Sequence, residues 1–319
     1  MATRPLENKH FSLDLYEDVP CDFCGSSSLE SEVIFASDPT KIPKAKDELL
    51  KIYSSASSQI FFEQAVRCKK CGLIYLSPRA KQELIVKSYS LAEDKQYVSQ
   101  EKGRSQTFKN CLKAIQGLCR SGNLLDVGAA SGIFVRVARD AGYDALGVEP
   151  SKWLCEFARK NYAVKMFCGV LEEAKLPDKS FDIVTLWDVL EHVASPGETL
   201  KEINRILKPG GLLVINYPRI DDFLARLSGR HWWFLLSVHL YYFTPKTLTA
   251  YLDKHGFKRI SHKMHFQKLS YDYLASRLEV YSKPLAKIAR FPYAFMPIKE
   301  MLLPYFASQY LMIARKKDE

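Results

Sequence analysis

The sequence predicts an α/β fold built on a doubly wound sheet, and three stretches carry that reading. In residues 123–134 (NLLDVGAASGIF) a leucine-rich run ends at Asp126 and turns through Gly128 to Gly132. It passes at once into a segment with Phe134, Val135 and Ala138 on one helical face. A second apolar run, residues 145–149 (ALGVE), ends in an acid. A third, residues 181–187 (FDIVTLW), is apolar almost throughout, as expected of a parallel strand buried on both faces. Strands alternating with helices give a sheet whose ligands sit at the strand C-termini.

The other elements follow in the same alternation. Ser151 is placed to cap a helix carrying Trp153, Leu154, Phe157 and Ala158 on one face, and residues 163–168 (AVKMFC) read as the next strand. Ser195 followed by Pro196 opens a helix with the stripe Leu200, Ile203, Ile206 and Leu207, which Gly210 and Gly211 close. Residues 211–216 (GLLVIN) make a strand; Thr244 and Pro245 start another helix, ended by Gly256, before strands near 257–263 and at 309–314 (QYLMIA). A chain of 319 residues has room for one large domain and a small one, and its 47% hydrophobic content excludes a disordered chain. No apolar run follows a basic start and nowhere do 18 apolar residues occur together, so the expected location is the cytoplasm, with no spanning helix.

The glycine turn lets backbone N–H groups approach a ligand, and the helix N-terminus beside it favours an anionic or polar group. Glu149 lies about 20 residues past the turn, the distance at which a carboxylate reaches the hydroxyls of a bound ribose. The expected ligand therefore contains a nucleoside. Three residues separate Gly128 from Gly132, with Ala130 in the middle, which departs from the dinucleotide pattern G-x-G-x-x-G. The turn resembles that of class I S-adenosylmethionine-dependent methyltransferases, D/E-x-G-x-G-x-G, with Ala130 in place of one glycine. The phrases LPDKSFDIVTLWDVLEHV, LKEINRILKPGGLLVINYP and HLYYFTPKTL are similar to successive motifs of members that modify small molecules, sugars and glycans.

That resemblance implies a Rossmann-like, seven-stranded, mostly parallel sheet with an antiparallel last strand, and S-adenosylmethionine as methyl donor. It assigns Asp126 and Gly128 to the methionine part, with Ala130 and Gly132 completing the turn, and Glu149 to the ribose hydroxyls. Val170, Leu171 and Glu172 fall at the adenine, and Trp187 and Asp188 face the reacting centre.

Cysteines divide into two groups. Cys21 and Cys24 (CDFC) and Cys68 and Cys71 (CKKC) are each followed by glycine, as in zinc knuckles, and four thiolates close a tetrahedral structural Zn2+ site with no position left for water. Cys111, Cys119, Cys155 and Cys168 lack ligand spacing and read as packing residues. The expected organisation is a tail over 1–19, a zinc-ribbon module over 20–80, a helical cap over 81–120 and the methyltransferase domain over 121–319. Similar ribbons precede the domain in enzymes that methylate nucleotide-linked deoxysugars, and RCKKCGLIYLSPR resembles theirs. The resemblance implies a ribbon and helices that cover the substrate pocket, with Tyr89 and Tyr97 in the cover, touching ligand or packing on the surface.

Methyl transfer from a sulfonium is an in-line displacement that needs little acid or base machinery, but a base helps when the nucleophile is a hydroxyl. His192 and His239 stand where the motifs converge. His239 matches the last histidine of the Tyr-His-Glu-His motif of ribbon-bearing sugar C-methyltransferases; Leu236, Ser237 and Val238 replace its first three residues, which favours oxygen over carbon methylation. His192 serves either chemistry or a structural hydrogen bond. Asp188, Glu191 and His192 also resemble the E-x-x-E-H metal site of quinone O-methyltransferases. Residues 231–235 (HWWFL) are expected to form an aromatic lip on the pocket.

The chain is basic, and residues 254–319 hold 13 Lys and Arg against 5 Asp and Glu. An amphipathic insertion at about 268–305 carries Leu274, Leu278, Tyr281, Leu285 and Ile288 at helical spacing beside Lys283, Lys287 and Arg290. It suits peripheral contact with anionic lipid on the inner face of the membrane through 271–306, or packing on the sheet edge or a partner subunit. The expected acceptor is a small molecule or glycan, nucleotide-linked or lipid-linked. An RNA methyltransferase is the alternative, weakened by the absence of N/D-P-P-Y/F after the fourth strand and by a near-neutral ribbon, so nucleic acid is not the expected partner. A non-catalytic binding module of the same fold is the remaining alternative.

Overall fold

In a computed structural model, described over residues 11–53, 61–278, 282–294 and 298–318, the alternation closes into one seven-stranded sheet. Its strands are β1 (Asn123–Val127), β2 (Asp144–Glu149), β3 (Lys165–Cys168), β4 (Phe181–Trp187), β5 (Leu207–Pro218), β6 (Phe257–Met264) and β7 (Gln309–Lys316). The order is β6-β7-β5-β4-β1-β2-β3. Pairs from β5 to β3 are parallel, and β7 runs antiparallel between β5 and β6. Winding reverses between β1 and β4, and a crevice opens there, beyond the carboxyl ends of the strands.

Period-2 alternation sends each strand's side chains to two cores. Leu125, Val184, Leu186, Leu213 and Ile215 enter one; Leu124, Ile183, Trp187, Leu212 and Val214 enter the other. The three serine and threonine caps are made: Ser151 accepts from Leu154 N–H, Ser195 from Glu198 N–H and Thr244 from Thr247 N–H. Several boundaries differ from expectation by a residue or more, and two of them have a visible cause. β3 begins at Lys165 because Ala163 takes a left-handed φ of 51° that ends the preceding helix. Gly210 and Gly211 do not close the helix Pro196–Ile206; Leu207 is already extended, and the glycines lie inside β5, where its pairing with β4 shifts register between Leu207 and Leu212.

The N-terminal module is not a separate packing unit. Its sheet takes Ser31–Phe35, Ala65–Cys68 and Ile74–Leu76 and completes itself with Tyr241–Tyr242 from the far side of the chain. Tyr16, Tyr75 and Leu76 share one apolar cluster with Leu125, Tyr241 and Phe243. The expected tail enters the fold as well, since Tyr16–Glu17 pairs with Arg79–Ala80. Helices Gln82–Ser90, Lys95–Ser99 and Glu101–Gln116 form the cap.

In the insertion, helices Tyr271–Leu278 and Lys283–Arg290 are framed by the strand pair Gln267–Ser270 and Leu302–Tyr305. Leu278, Leu285 and Ile288 of the stripe are exposed and Leu274 is half-buried, while Ala286, outside the stripe, is the residue that helix buries; Tyr281 lies outside the described residues. Among the described residues no helix is long and apolar enough to cross a membrane.

Gly147 in β2 is required by space, since a Cβ there would stand 2.6 Å from Met166 Sδ and 2.8 Å from Ala129 Cβ. Gly147→Val is expected to lower stability by about 1–3 kcal/mol, read as a lower urea midpoint.

Candidate functional site

The crevice is a cleft of about 1430 Å³ whose floor is the turn after β1. Gly128, Ala130 and Gly132 all take left-handed φ values (67°, 46° and 73°). Gly128 N–H and Ala129 N–H both donate to Val148 O, at 2.8 and 3.0 Å, which staples the turn to β2. A Cβ on Gly128 would meet Val189 Cγ2 at 2.5 Å, so that glycine is needed for space as well as for conformation. Ala130 holds the left-handed conformation with a Cβ, a strain of roughly 1 kcal/mol. Its N–H donates to Glu149 Oε2 at 2.9 Å.

Glu149 is gripped from both sides, because Oε1 accepts Ser151 N–H at 2.9 Å. Burial pushes its carboxyl up to about 7, against the pull of those two N–H groups. Below the turn, burial pushes Asp126 up to about 8; its Oδ1 accepts from Thr185 Oγ1 at 2.6 Å. Gly128, Ala130, Glu149, Leu171, Glu172, Trp187 and Asp188 line the cleft with Val170, as the sequence leads one to expect. Asp126 and Gly132 do not. Asp126 is 1% exposed beneath the floor, and Gly132 is packed so that a Cβ would lie 2.8 Å from Ala158 Cβ.

At the end of β4, Asp188 has a left-handed φ of 54°, and its Oδ1 accepts from Asn216 Nδ2 at 2.6 Å and Gln309 Nε2 at 2.5 Å. Burial raises its carboxyl to about 6, with the Arg104 charge opposing. Arg104, on the helix Glu101–Gln116, lies 3.7 Å above the Tyr97 ring and lines the same wall. Arg104 Nε, Trp187 Nε1 and Asn216 Oδ1 are buried without a hydrogen-bond partner, two donors and one acceptor suited to the charged end of a ligand.

The opposite wall carries the histidines. His192 and His239 rings meet edge to face with centroids 4.6 Å apart. His192 Nδ1 lies 2.9 Å from Val238 O and 2.9 Å from Tyr89 Oη, and His239 Nδ1 lies 2.8 Å from Phe234 O. A carbonyl only accepts, so both Nδ1 atoms carry the proton and both Nε2 atoms keep a lone pair. Burial holds both imidazoles neutral, His192 down to about 4 and His239 well below the usual range with His192 adding to the effect. Glu191 is 1% exposed and neither carboxylate oxygen has a partner. One ligand atom each from Glu191, His192 and His239 falls within 4.8 Å of the others. This departs from the Asp188, Glu191, His192 grouping, because the Asp188 carboxylate is taken up by Asn216 and Gln309.

Tyr89 and Tyr97 line the cleft, but the expected aromatic lip does not form. Trp232 is 3% exposed and packs on Phe234 and Tyr242, and the wall is made instead by Leu236, Val238 and His239. Sequence reading missed Arg104 and Phe108, one helical turn apart on the cap, and His265, just after β6. The i, i+4 spacing of the first two was a usable signal; His265 had none.

At the far end of the module, Cys21 Sγ and Cys71 Sγ are 3.4 Å apart, Cys24 Sγ and Cys68 Sγ 3.5 Å, and all four fall within 4.8 Å. The edge of a tetrahedron with 2.3 Å zinc–sulfur bonds is about 3.8 Å, so the donor set fits that ion. Both knuckles have the same form: Gly25 N–H donates to Cys21 O and Gly72 N–H to Cys68 O, each at 2.8 Å, with both glycines at positive φ.

A family profile described as a methyltransferase domain matches residues 99–262, half of the chain. A ubiquinone biosynthesis O-methyltransferase of Bradyrhizobium diazoefficiens is 29% identical over 155 residues, 45% of this chain and 58% of its own length. An uncharacterized methyltransferase of Mycobacterium tuberculosis is 39% identical over 137 residues, 42% of this chain and 51% of its own. The chain thus spans little more than half the length of these relatives. A solved SAM-dependent methyltransferase from Archaeoglobus fulgidus is 19% identical with a TM-score of 0.49, covering 70% of this chain and all of that one.

If a donor ribose sits on Glu149, the ionised carboxylate accepts from its hydroxyls better than the protonated acid would. Affinity for S-adenosylhomocysteine, measured by calorimetry, is therefore expected to fall as pH drops through about 7. Glu149→Gln is expected to bind 10- to 100-fold more weakly, the roughly 1.5–3 kcal/mol of a charged hydrogen bond, with that pH dependence gone.

Proposed function

The chain belongs to the methyltransferase-domain family, and from that premise we propose that it moves a methyl group from S-adenosylmethionine to a hydroxyl oxygen of a neutral, polyhydroxylated acceptor, such as a sugar of a free or lipid-linked glycan. The observation that carries the donor half is Glu149, fixed by Ala130 and Ser151 N–H groups at the cleft floor. Asp94, Glu149, Glu172, Asp188 and Glu198 line the cleft, and among the described residues Arg104 is the one Lys or Arg that does. Such a wall suits a cationic sulfonium and an uncharged acceptor, and repels the phosphates of RNA or of a nucleotide-linked sugar.

The donor supplies an activated methyl carbon. The chain's residues hold the nucleophile in line with it, an effect worth about 7–11 kcal/mol. The donor would give its methyl carbon to the acceptor oxygen, its sulfur keeping the electron pair of the broken bond, and His239 Nε2 would take the hydroxyl proton. His192, held by Tyr89 and Val238 O, packs edge to face on the His239 ring.

A second reading of the histidine wall is favoured by Glu191, whose buried and unpartnered carboxylate with two neutral imidazoles makes a two-histidine, one-carboxylate set for a divalent cation. The four cysteines hold a structural zinc that folds a module with little core of its own.

His239→Ala is expected to lower turnover by about 10²–10⁴-fold, followed by labelled methyl transfer into a sugar-and-lipid extract, with S-adenosylhomocysteine affinity unchanged. Plasma-source mass spectrometry separates the two readings of that wall. One zinc per chain leaves His239 as a free base, whereas a second divalent ion that His239→Ala alone removes makes the cluster a metal centre. Preparations that never carry zinc would refute the cysteine assignment.

A further inference from the structure

No described residue of the cysteine module lines the cleft, but Ser195, which Asp22 reaches, does. Asp22, between Cys21 and Phe23, reaches out of the first knuckle: Oδ1 accepts from Ser195 Oγ at 2.7 Å, and Oδ2 accepts from Gly197 N–H and Tyr251 Oη, each at 2.9 Å. Ser195 is the N-cap of the helix Pro196–Ile206, so Asp22 adds a second, charged cap at the positive end of that helix. The approach is close, since a Cβ on Gly197 would sit 3.1 Å from Asp22 Oδ2. Glu191 and His192 lie on the short loop that leads into this cap.

Two more ties leave the second knuckle. Strand Ile74–Leu76 pairs with Tyr241–Tyr242, and Leu76 N–H donates to Leu240 O at 2.9 Å. Leu240 and Tyr241 N–H groups both donate to Glu191 O, at 2.8 and 3.2 Å. Arg79 donates to Tyr241 Oη at 3.0 Å and to Ala194 O at 2.9 Å. The donor half is held by different supports: Ser151 Oγ donates to Ala92 O at 2.7 Å, and Arg136 pairs with Glu101 at 2.6 Å, both partners belonging to the helical cap.

We propose that Asp22 is a positioning residue through which the four-cysteine site orders the acceptor wall of the cleft, the loop of Glu191 and His192 and the segment of His239, while the donor half stands without it. The proposal rests on reading the four cysteines as a zinc site. An ion that fixes Cys21 and Cys24 fixes the carboxylate between them, and the cap, loop and strand follow. Metal occupancy then governs whether the acceptor wall is assembled, and donor binding does not depend on it.

The test uses the full chain and three measurements on each variant: zinc content, affinity for S-adenosylhomocysteine, and amide exchange of peptides covering 189–199 and 236–243. Asp22→Ala is expected to keep its zinc and bind S-adenosylhomocysteine within twofold of the parent, while both peptides exchange at least tenfold faster. The NMR signals of the His192 and His239 rings are expected to shift. Asp22→Asn, which keeps an acceptor oxygen, is expected to fall between the two, and chelation of zinc from the parent to reproduce the alanine pattern. Unchanged exchange in zinc-loaded Asp22→Ala overturns the proposal, as does an equal rise in peptides covering 127–133 and 149–155. A parent protein without zinc overturns the metal reading beneath it and is recognised from the zinc content alone.

Discussion

One buried carboxylate couples the two turns on which the cleft is built. Glu149 ends β2 with one oxygen on Ala130 N–H from the turn after β1 and the other on Ser151 N–H from the turn after β2. Ser151 caps the next helix with the same hydroxyl that it gives to Ala92 O of the cap. A ligand at Glu149 is therefore met at once by a strand end, two helix starts and the covering helices. The geometry is demanding because burial alone favours the protonated acid, and it is the two main-chain donors, each worth about 1.5–3 kcal/mol to a charged acceptor, that draw the group back toward ionisation.

Burial favours the neutral form on the facing wall too, and there it prevails. It strips the charge from His192 and His239 and leaves each with a pinned Nδ1–H and a free lone pair, the state that either a proton acceptor or a metal ligand needs. The turn side of the cleft thus gathers acids and, among the described residues, one Lys or Arg, Arg104, and the opposite wall gathers two neutral imidazoles beside the buried Glu191. In the proposed transfer to oxygen, which needs little help from a base, weakly basic imidazoles would suffice: the proton would leave the oxygen after the new bond had largely formed.

Much of this was legible in local chemistry. The first strand, which runs one residue past the expected stop at Asp126, the apolar run 181–187 and the caps Ser151, Ser195 and Thr244 are each fixed by a few neighbouring residues, and the structure forms them. The paired cysteines were equally plain. What escaped was set by distance along the chain. Asp22 meets Ser195 and Tyr251, and Asp188 meets Gln309, only because the sheet order brings remote segments together. The aromatic run 231–235 misled for another reason: composition does not distinguish a ring that lines a cleft from one that fills a core, and Trp232 fills the core. The glycine pair at 210–211 misled because a glycine that ends a helix and one that kinks a strand look alike in sequence.

The strand Tyr241–Tyr242, lent to the N-terminal sheet, also orders events during synthesis. Its partner Ile74–Leu76 leaves the ribosome long before it, and at about 5–20 residues per second the wait is on the order of 10–30 s. For that interval the open flank of Ile74–Leu76 has no strand to pair with, and the apolar side chains of the half-made sheet face the translation machinery and its attendant chaperones. A module made before the seven-stranded sheet is thus finished late, and its completion coincides with the arrival of the segment that carries His239.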